Sequence, residues 1–218
     1  MVVMLHITVI ILLLQSSYAT DECFTVNRNN EIIGNDCRFC TGDIIIPNNV
    51  KSIGMNAFKG CTGITSVVFE KDSQLKDIGQ SAFYGCTQLQ TVSIPSSVTT
   101  IGNFAFSACT SIISVTFEPN SQLKDTGNYT FQGCTQLQSV SILSKNISID
   151  TSTFSGCTNL SLISTKQENN MTLPSIGNNL VVSFDGRFAI QRIDRSSSVL
   201  YSSSIVIGSQ RLTINNNN

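Results

Sequence analysis

Residues 94–117 read IPSSVTTIGNFAFSACTSIISVTF, and near-copies of this stretch occur on both sides of it. The most regular element is a phenylalanine followed three residues later by a cysteine and then a threonine. The cysteines of the five copies are spaced 25, 23, 25 and 23 residues apart: Cys61, Cys86, Cys109, Cys134 and Cys157. A fixed period of this size predicts a solenoid, in which each unit stacks on the next.

An apolar-x-x-apolar-x-apolar pattern follows each cysteine. In the quoted copy it consists of Ile112, Val115 and Phe117. Alternation of apolar and polar residues over its last positions predicts a short strand with one buried face. A further strand near residues 44–46 is expected to start the array. The corresponding residues of the other copies are Ile64, Val67 and Phe69; Leu89, Val92 and Ile94; Leu137, Val140 and Ile142; and, in degenerate form, Leu160 and Ile163.

The other half of each unit carries an apolar residue, a glycine and then a small residue before the phenylalanine. Ile101, Gly102 and Ala105 hold these positions in the quoted copy. Because glycine tolerates positive φ, we expect the glycine to turn the chain. The small residue indicates tight packing inside the unit. Long and short units differ only after the strand, as residues 69–75 and 94–98 show, which places the extra residues in a loop.

The run Ile-Pro-x-x-Val-x-x-Ile-Gly-x-x-Ala-Phe-x-x-Cys-x-x-Leu-x-x-Val-x-Ile resembles the BspA-type leucine-rich repeat of bacterial and protist surface proteins. The resemblance covers roughly residues 44–165. It implies an α/β-type solenoid dominated by β structure: a right-handed leucine-rich-repeat superhelix with short parallel strands on one face. It also implies an extracellular, often adhesive protein. Family members often carry a C-terminal transmembrane segment, which this sequence lacks.

The ends of the chain differ from the repeats. Residues 2–14 are almost entirely apolar and are followed by small residues at Ser17 and Ala19, so we expect residues 1–19 to be a signal peptide. The alternative is a membrane anchor, but this apolar run is shorter than the roughly 20 residues that span a bilayer. The mature chain would then have no transmembrane span. Residues 20–43 are expected to form an N-terminal cap.

Residues 166–218 lose the repeat pattern. We interpret them as a β-rich C-terminal cap or as degenerate repeats that end in a disordered tail. Asp185-Gly186 separates two apolar runs, residues 180–184 and 187–190, which is typical of a hairpin. Further strands are predicted at residues 199–201, 205–207 and 212–214.

Composition excludes several classes of function. The net charge is −1 and no basic cluster stands out, so a nucleic acid is not an expected partner. The one histidine, His6, lies in the predicted signal peptide, which argues against histidine triads and histidine-containing zinc sites. Glu70 and Glu118 are predicted two strands apart, near the separation used by inverting glycosidases, but we interpret them as solvated carboxylates. No catalytic residue, metal or cofactor is assigned.

The eight cysteines fall into two groups. In a secreted protein Cys23 is expected to pair with Cys37 or Cys40, which leaves one cysteine of this group without a predicted partner. The Cys37-x-x-Cys40 spacing is also typical of redox or zinc pairs, although no second pair completes such a site. We interpret the five repeat cysteines as small buried side chains with a weak donor, the alternative being a ladder of disulfides or metal ligands.

Four Asn-x-Ser/Thr sequences predict N-glycosylation in a secreted chain. The acceptors are Asn128, Asn146, Asn159 and Asn170.

One face of the predicted strands is expected to bind a ligand. Side chains of a strand alternate between its two faces, so the residues between the apolar ones point outward. They are mostly hydroxyl-bearing and weakly charged, which suits an extracellular protein or glycan bound through many modest hydrogen bonds. The predicted face comprises Ser66, Val68, Glu70, Thr91, Ser93, Ser114, Thr116, Glu118, Ser139 and Ser141.

The sequence thus predicts a secreted or cell-surface binding protein that mediates adhesion to host cells, matrix or other surfaces. An alternative is a leucine-rich-repeat scaffold for protein–protein interaction without an adhesive role. A more remote alternative is an enzyme that acts on glycans.

Overall fold

The computed structural model describes residues 23–34, 37–124, 126–142 and 152–165. It also describes the backbone of the strands at residues 172–173, 181–184, 188–189, 204–207 and 210–214. The predicted signal peptide, the sequons at Asn146 and Asn170, the hairpin turn at residues 185–186 and the predicted strand at residues 199–201 lie outside the described residues.

The described residues contain strands and turns but no helix. In chain order the strands are β1 (Thr25–Val26), β2 (Glu31–Ile33), β3 (Gly42–Ile46), β4 (Ser52–Ile53), β5 (Ile64–Phe69), β6 (Asp77–Ile78), β7 (Thr91–Ile94), β8 (Thr100–Ile101), β9 (Ser114–Phe117), β10 (Ser139–Ile142), β11 (Leu162–Thr165), β12 (Thr172–Leu173), β13 (Val181–Phe184), β14 (Phe188–Ala189), β15 (Ser204–Ile207) and β16 (Gln210–Ile214).

The main sheet has eight strands in the order β14-β13-β11-β10-β9-β7-β5-β3. From β3 to β13 all pairs are parallel, and equivalent residues of successive repeats lie side by side. Val115, for example, pairs with Val92 on one side and Val140 on the other. The predicted solenoid with short parallel strands is confirmed. Strand β14 runs antiparallel to β13, so these two strands form the hairpin expected there.

A second, narrower sheet runs along the solenoid, in the order β1-β2-β4-β6-β8. Its parallel strands are two or three residues long, and the isoleucines Ile32, Ile53, Ile78 and Ile101 are in register across it. Strand β1 pairs antiparallel with β2 and forms the N-terminal end of this sheet. The sequence predicted the apolar positions of these strands but not their pairing. Strands β12, β16 and β15 form a third sheet.

A row of buried phenylalanine rings runs through the interior between the two sheets. The rings of Phe58, Phe83, Phe106, Phe131 and Phe154 are at most 1% exposed. Neighbouring rings are nearly parallel, with centroids 5.0, 5.0, 5.3 and 5.7 Å apart. The phenylalanines of the repeated Ala-Phe and Thr-Phe pairs are therefore aligned in one buried row, as their spacing in the sequence predicts. At the N-terminal end the ring of Phe24 meets Phe58 edge to face at 5.8 Å, so an aromatic side chain of the cap covers the first ring of the row.

The regular spacing of the glycines within the repeats has a different cause from the one predicted. We expected positive φ at Gly54, Gly79, Gly102 and Gly127, and this is wrong, because positive φ occurs at other glycines such as Gly85 (φ 73°). At Gly102 a Cβ atom would lie 2.5 Å from the backbone nitrogen of Gln80 and 2.8 Å from its Cα. Glycine is needed at this position because the backbones of two successive turns come too close together for a side chain.

Two disulfides stabilise the N-terminal cap: one lies within it, and the other joins it to the first repeat. Of the two partners expected for Cys23, the structure pairs it with Cys40, and Cys37 pairs with Cys61. The interpretation of all five repeat cysteines as unpaired side chains is therefore wrong for Cys61. The repeat pattern could not predict this disulfide, because Cys61 differs from the cysteines of later repeats only in lying next to the cap.

The other four repeat cysteines are buried free thiols, as interpreted from the sequence. Each thiol donates a hydrogen bond of 3.1–3.3 Å to the backbone carbonyl of the phenylalanine in the preceding turn. Cys109, for instance, donates to Phe83. Burial raises the pKa of the Cys109 thiol, and a hydrogen bond with Cys157 together with burial raises the pKa of Cys134. Cys109 and Cys134 are therefore protonated and unreactive at neutral pH.

Three threonines in the core occupy positions that are apolar or alanine in other repeats. Thr126, Thr130 and Thr153 are at most 5% exposed. The hydroxyls of Thr126 and Thr153 hydrogen-bond each other at 2.9 Å, and Thr130 donates to the carbonyl of Gly127 at 2.6 Å. A buried hydroxyl without a hydrogen-bond partner is destabilising. These hydrogen bonds therefore allow threonine to replace an apolar residue or alanine in the degenerate repeats.

Substituting Gly102 by alanine should destabilise the chain by about 3 kcal/mol or more, because the new methyl group overlaps the backbone of the preceding turn. Denaturant unfolding at equilibrium measures the effect. Gly85→Ala is the matched control. A Cβ at Gly85 comes no closer than 4.0 Å to Gly60, and Ala108 already occupies the equivalent position with φ 59°, so its cost should be about 1 kcal/mol. Equal costs for the two variants would contradict the close-approach explanation.

The buried thiols should make the fold less stable in alkali. An unfolded thiol loses its proton near pH 8.5, whereas Cys109 and Cys134 keep theirs when folded, so stability is unaffected below that pH and falls above it. Each such thiol contributes a slope of about 1.4 kcal/mol per pH unit. The free energy of unfolding between pH 8 and pH 10 should therefore fall less steeply in Cys109→Ala/Cys134→Ala than in the wild type. Identical slopes would contradict the burial of these groups.

Candidate ligand-binding face

The outward side of the main sheet presents two rows of side chains, which we call the strand face. One row runs across the sheet through Ser66, Thr91, Ser114 and Ser139, which pair directly with one another. The other row contains Ser93, Thr116, Ser141 and Ser164. Neighbours within a row are about 4.8 Å apart, and the two rows are separated by roughly 6.6 Å along each strand.

The predicted binding residues all lie on or beside this face, and none of them is buried. Val68, Thr91 and Ser93 are exposed. Half-buried residues make up the remainder: Ser66, Glu70, Ser114, Thr116, Glu118, Ser139 and Ser141. The alternation of strand side chains was therefore sufficient to identify which residues point away from the core.

Six of the hydroxyls on the strand face are free to bond a ligand. Within the described part of the chain, the structure gives these side chains no hydrogen-bonding partner. They occupy three consecutive strands, two to a strand, and we call them the hydroxyl grid: Thr91, Ser93, Ser114, Thr116, Ser139 and Ser141.

Asp43 belongs to the strand face although the sequence did not identify it. It lies on β3 beside Ser66, and its Oδ1 accepts hydrogen bonds from Ser66 Oγ at 2.7 Å and Thr65 Oγ1 at 3.1 Å. The hydroxyl of Ser66 is thereby engaged. Extending the repeat register back to the strand predicted near residues 44–46 would have placed Asp43 in this row.

The two predicted glutamates have a structural role. Glu118 Oε2 accepts a 3.0 Å hydrogen bond from the backbone N–H of Ser96, and Glu70 Oε2 accepts one of the same length from Asn48. Both donors lie in the Ile-Pro turn of the preceding short repeat. These carboxylates are half-buried and hydrogen-bonded, which differs from the solvated state predicted for them. Each long repeat therefore caps the loop of the short repeat before it.

The grid that remains is neutral and offers both donors and acceptors. Its strands are fixed by a parallel register on both sides, so its hydroxyls are held at regular spacings. In the described residues no group of three or more histidine, cysteine, aspartate or glutamate side chains is placed to hold a metal ion. The arrangement suits recognition of a neutral polar surface through hydrogen bonds.

The predicted acceptor asparagines within the described residues are on the surface. Asn128 and Asn159 are both exposed, and both lie in turns outside the strand face. As for the membrane, no helix in the described ranges is both long enough and apolar enough to cross it.

A solenoid of short parallel strands with one polar, regularly spaced face defines a repeat protein of the binding type. The chain belongs to the BspA type leucine rich repeat family, whose model matches six copies over residues 33–161. Leucine-rich repeat proteins of this kind are scaffolds that bind other proteins.

Solved structures of bacterial leucine rich repeat proteins are similar to this chain. The leucine rich repeat protein of T. pallidum is 20% identical, with a TM-score of 0.54, over 73% of this chain and 82% of that one. A leucine-rich repeat protein from Bacteroides ovatus is 20% identical over 73% of this chain and 50% of its own, with a TM-score of 0.46. A leucine rich cell surface protein from Faecalibacterium prausnitzii is 21% identical over 67% of this chain and 53% of its own, with a TM-score of 0.43. No curated protein is significantly similar in sequence.

Proposed function

We propose that this protein is secreted or displayed at the cell surface, and that it attaches to host cells, matrix or other surfaces by binding an extracellular protein or glycan on the strand face. The observation that carries the proposal is the hydroxyl grid, whose six side chains have no partner among the described residues of the chain. Polar groups left unpaired in a fixed array are suited to pairing with a ligand.

The rigidity of the grid favours binding. Each grid strand pairs with a neighbour on both sides, so little backbone entropy is lost when a ligand is bound. Serine and threonine also have short side chains, which lose less rotamer freedom than lysine or glutamine. Weak individual hydrogen bonds can therefore contribute net affinity at this surface.

The size of the strand face indicates how it would act. Six strands at about 4.8 Å spacing and five residues at about 3.3 Å per residue give roughly 24 by 16 Å. This is on the order of 400 Å², about half of the 800 Å² that each partner of a stable protein complex contributes. We infer weak single contacts, which become effective when many copies act together on one surface.

The cysteine pattern supports an extracellular location. One disulfide lies within the cap and a second joins the cap to the first repeat, and disulfides persist in oxidising compartments such as the secretory pathway. The predicted signal peptide, residues 1–19, agrees with that location. Glycans on the four predicted acceptors would then cover the C-terminal half of the chain and leave the grid accessible, because the two acceptors that the structure describes lie in turns.

Replacing Ser93, Thr116 and Ser141 together by lysine should weaken attachment by about tenfold or more, because three charged side chains would cover the second row of the grid. The measurement is binding of the purified mature chain to cell layers and to arrays of matrix proteins and glycans.

The matched control is Gln74→Lys/Gln80→Lys/Gln136→Lys, which adds the same charge at exposed positions outside the main sheet. It should bind as the wild type does. If both triple variants lose binding equally, charge alone explains the loss and the face assignment fails. Unchanged binding by the grid variant would also exclude the strand face.

A further inference from the structure

An aromatic pair lies on the outside of the solenoid, away from the strand face. Phe104 and Tyr129 occupy equivalent positions in the turns that follow Gly102 and Gly127. Their rings are stacked, with centroids 5.2 Å apart and planes 7° from parallel. Tyr129 is 38% exposed and Phe104 is half-buried, so this stack is separate from the buried phenylalanine row.

The backbone conformation at these two residues is unusual for aromatic side chains. Phe104 has φ 59° and Tyr129 has φ 57°. In the two preceding turns the same position holds Asn56 and Ser81, also with positive φ. Asparagine adopts this region more readily than bulky residues do. The two rings therefore lie at a position that small polar residues occupy in the preceding turns, and strain of this kind tends to accompany a function.

The stack consists of two rings only among the described residues. On one side the next turn places Ser81 at the equivalent position, and on the other it places Ser152, whose Oγ accepts a hydrogen bond from the backbone N–H of Tyr129 at 3.2 Å. No ring in the described residues extends the stack in either direction. Because Tyr129 is 38% exposed, part of this aromatic pair is accessible from solvent.

Asn128 lies directly beside this pair. Its backbone carbonyl accepts a hydrogen bond from the N–H of Phe104 at 3.0 Å, and its own N–H donates to Asn103 Oδ1 at 2.9 Å. Its side chain is exposed, and Asn128-Tyr129-Thr130 is a glycosylation sequence. Asn128 is therefore adjacent to Tyr129 in the sequence, and its backbone is hydrogen-bonded to that of Phe104 in the preceding turn.

We propose that Asn128 carries an N-linked glycan whose first sugar, an N-acetylated hexose, packs on the Phe104–Tyr129 pair. This inference rests on the proposed secretion of the chain. The apolar C–H groups of a sugar ring fit the electron-rich face of an aromatic ring. An attached sugar is also the nearest occupant available, because it is tethered within one residue of Tyr129.

The transfer reaction uses a lipid pyrophosphate-linked oligosaccharide as the donor. A bond forms between Asn128 Nδ2 and C1 of the first sugar as the bond from C1 to the pyrophosphate oxygen breaks. One proton leaves Nδ2, and the lipid pyrophosphate departs with the electrons of the broken bond.

The transfer must precede folding of this turn. The hydroxyl of Thr130, which the transferring enzyme has to recognise, is 0% exposed and donates to Gly127. The sequon at Asn159 differs, because both Asn159 and Ser161 are exposed in the folded chain. Asn159 therefore provides a matched glycosylation site that has no stacked aromatic pair beside it among the described residues.

The test expresses the chain in eukaryotic cells behind a foreign signal peptide in place of residues 1–19, with the native leader in parallel. Mass spectrometry should find Asn128 occupied. Asn128→Gln should lower the melting temperature by about 2–4 °C, whereas Asn159→Gln should leave it unchanged. Trimming the glycan to its first sugar with endoglycosidase H should preserve the stability, since only that sugar touches the rings.

The decisive arm repeats the comparison in Phe104→Asn/Tyr129→Asn, which keeps the sequon and installs the asparagine found in the first turn. There the Asn128→Gln shift should shrink to less than about 1 °C. An empty Asn128, an equal shift in both backgrounds, or loss of the shift on trimming to one sugar would overturn the proposal. If residues 1–19 fail to direct secretion while the foreign signal peptide succeeds, the proposed secretion is wrong, but the packing of the sugar on Phe104 and Tyr129 is not contradicted.

Discussion

Each turn of this solenoid has to stack on the next at about 5 Å, and the other regularities of the structure follow from that constraint. The stacked phenylalanine rings are 5.0–5.7 Å apart, which is close to the spacing of paired strands. The glycine of each turn leaves room for the backbone of its neighbour, and each free thiol bonds a carbonyl one turn away. One repeat alone would expose its interior on two sides, so stability depends on neighbours.

The same constraint produces the candidate binding surface. Because every repeat contributes one strand in the same register, a residue type repeated in sequence becomes a row in space, and two alternating positions per strand become the hydroxyl grid. The grid has no dedicated pocket and gains its regularity from the stacking alone. The aromatic pair at Phe104 and Tyr129 follows the same rule on another side of the molecule, where two adjacent repeats depart from the polar residue of their neighbours.

The periodic features of the fold could be predicted from the sequence, whereas features that depend on contacts between unlike segments could not. Spacing alone located the phenylalanine row and the outward phase of residues such as Thr116. The disulfide partner of Cys61 depends on how the cap folds over the first repeat, and the bond from Glu118 to Ser96 depends on how a long loop meets a short one. The role of Gly102 was misread because one sequence cannot distinguish a glycine needed for φ from one needed for close approach.

Native-state hydrogen exchange on Phe106→Ala tests the stacked interior most directly. Removing this ring from the middle of the row should cost about 3–5 kcal/mol. We expect amide protection to fall in the turns of Phe83 and Phe131 as well as in its own turn, while Ile113→Ala, at an exposed position, leaves protection unchanged. Loss of protection confined to the turn of residue 106, with its neighbours unaffected, would contradict an interior shared between repeats.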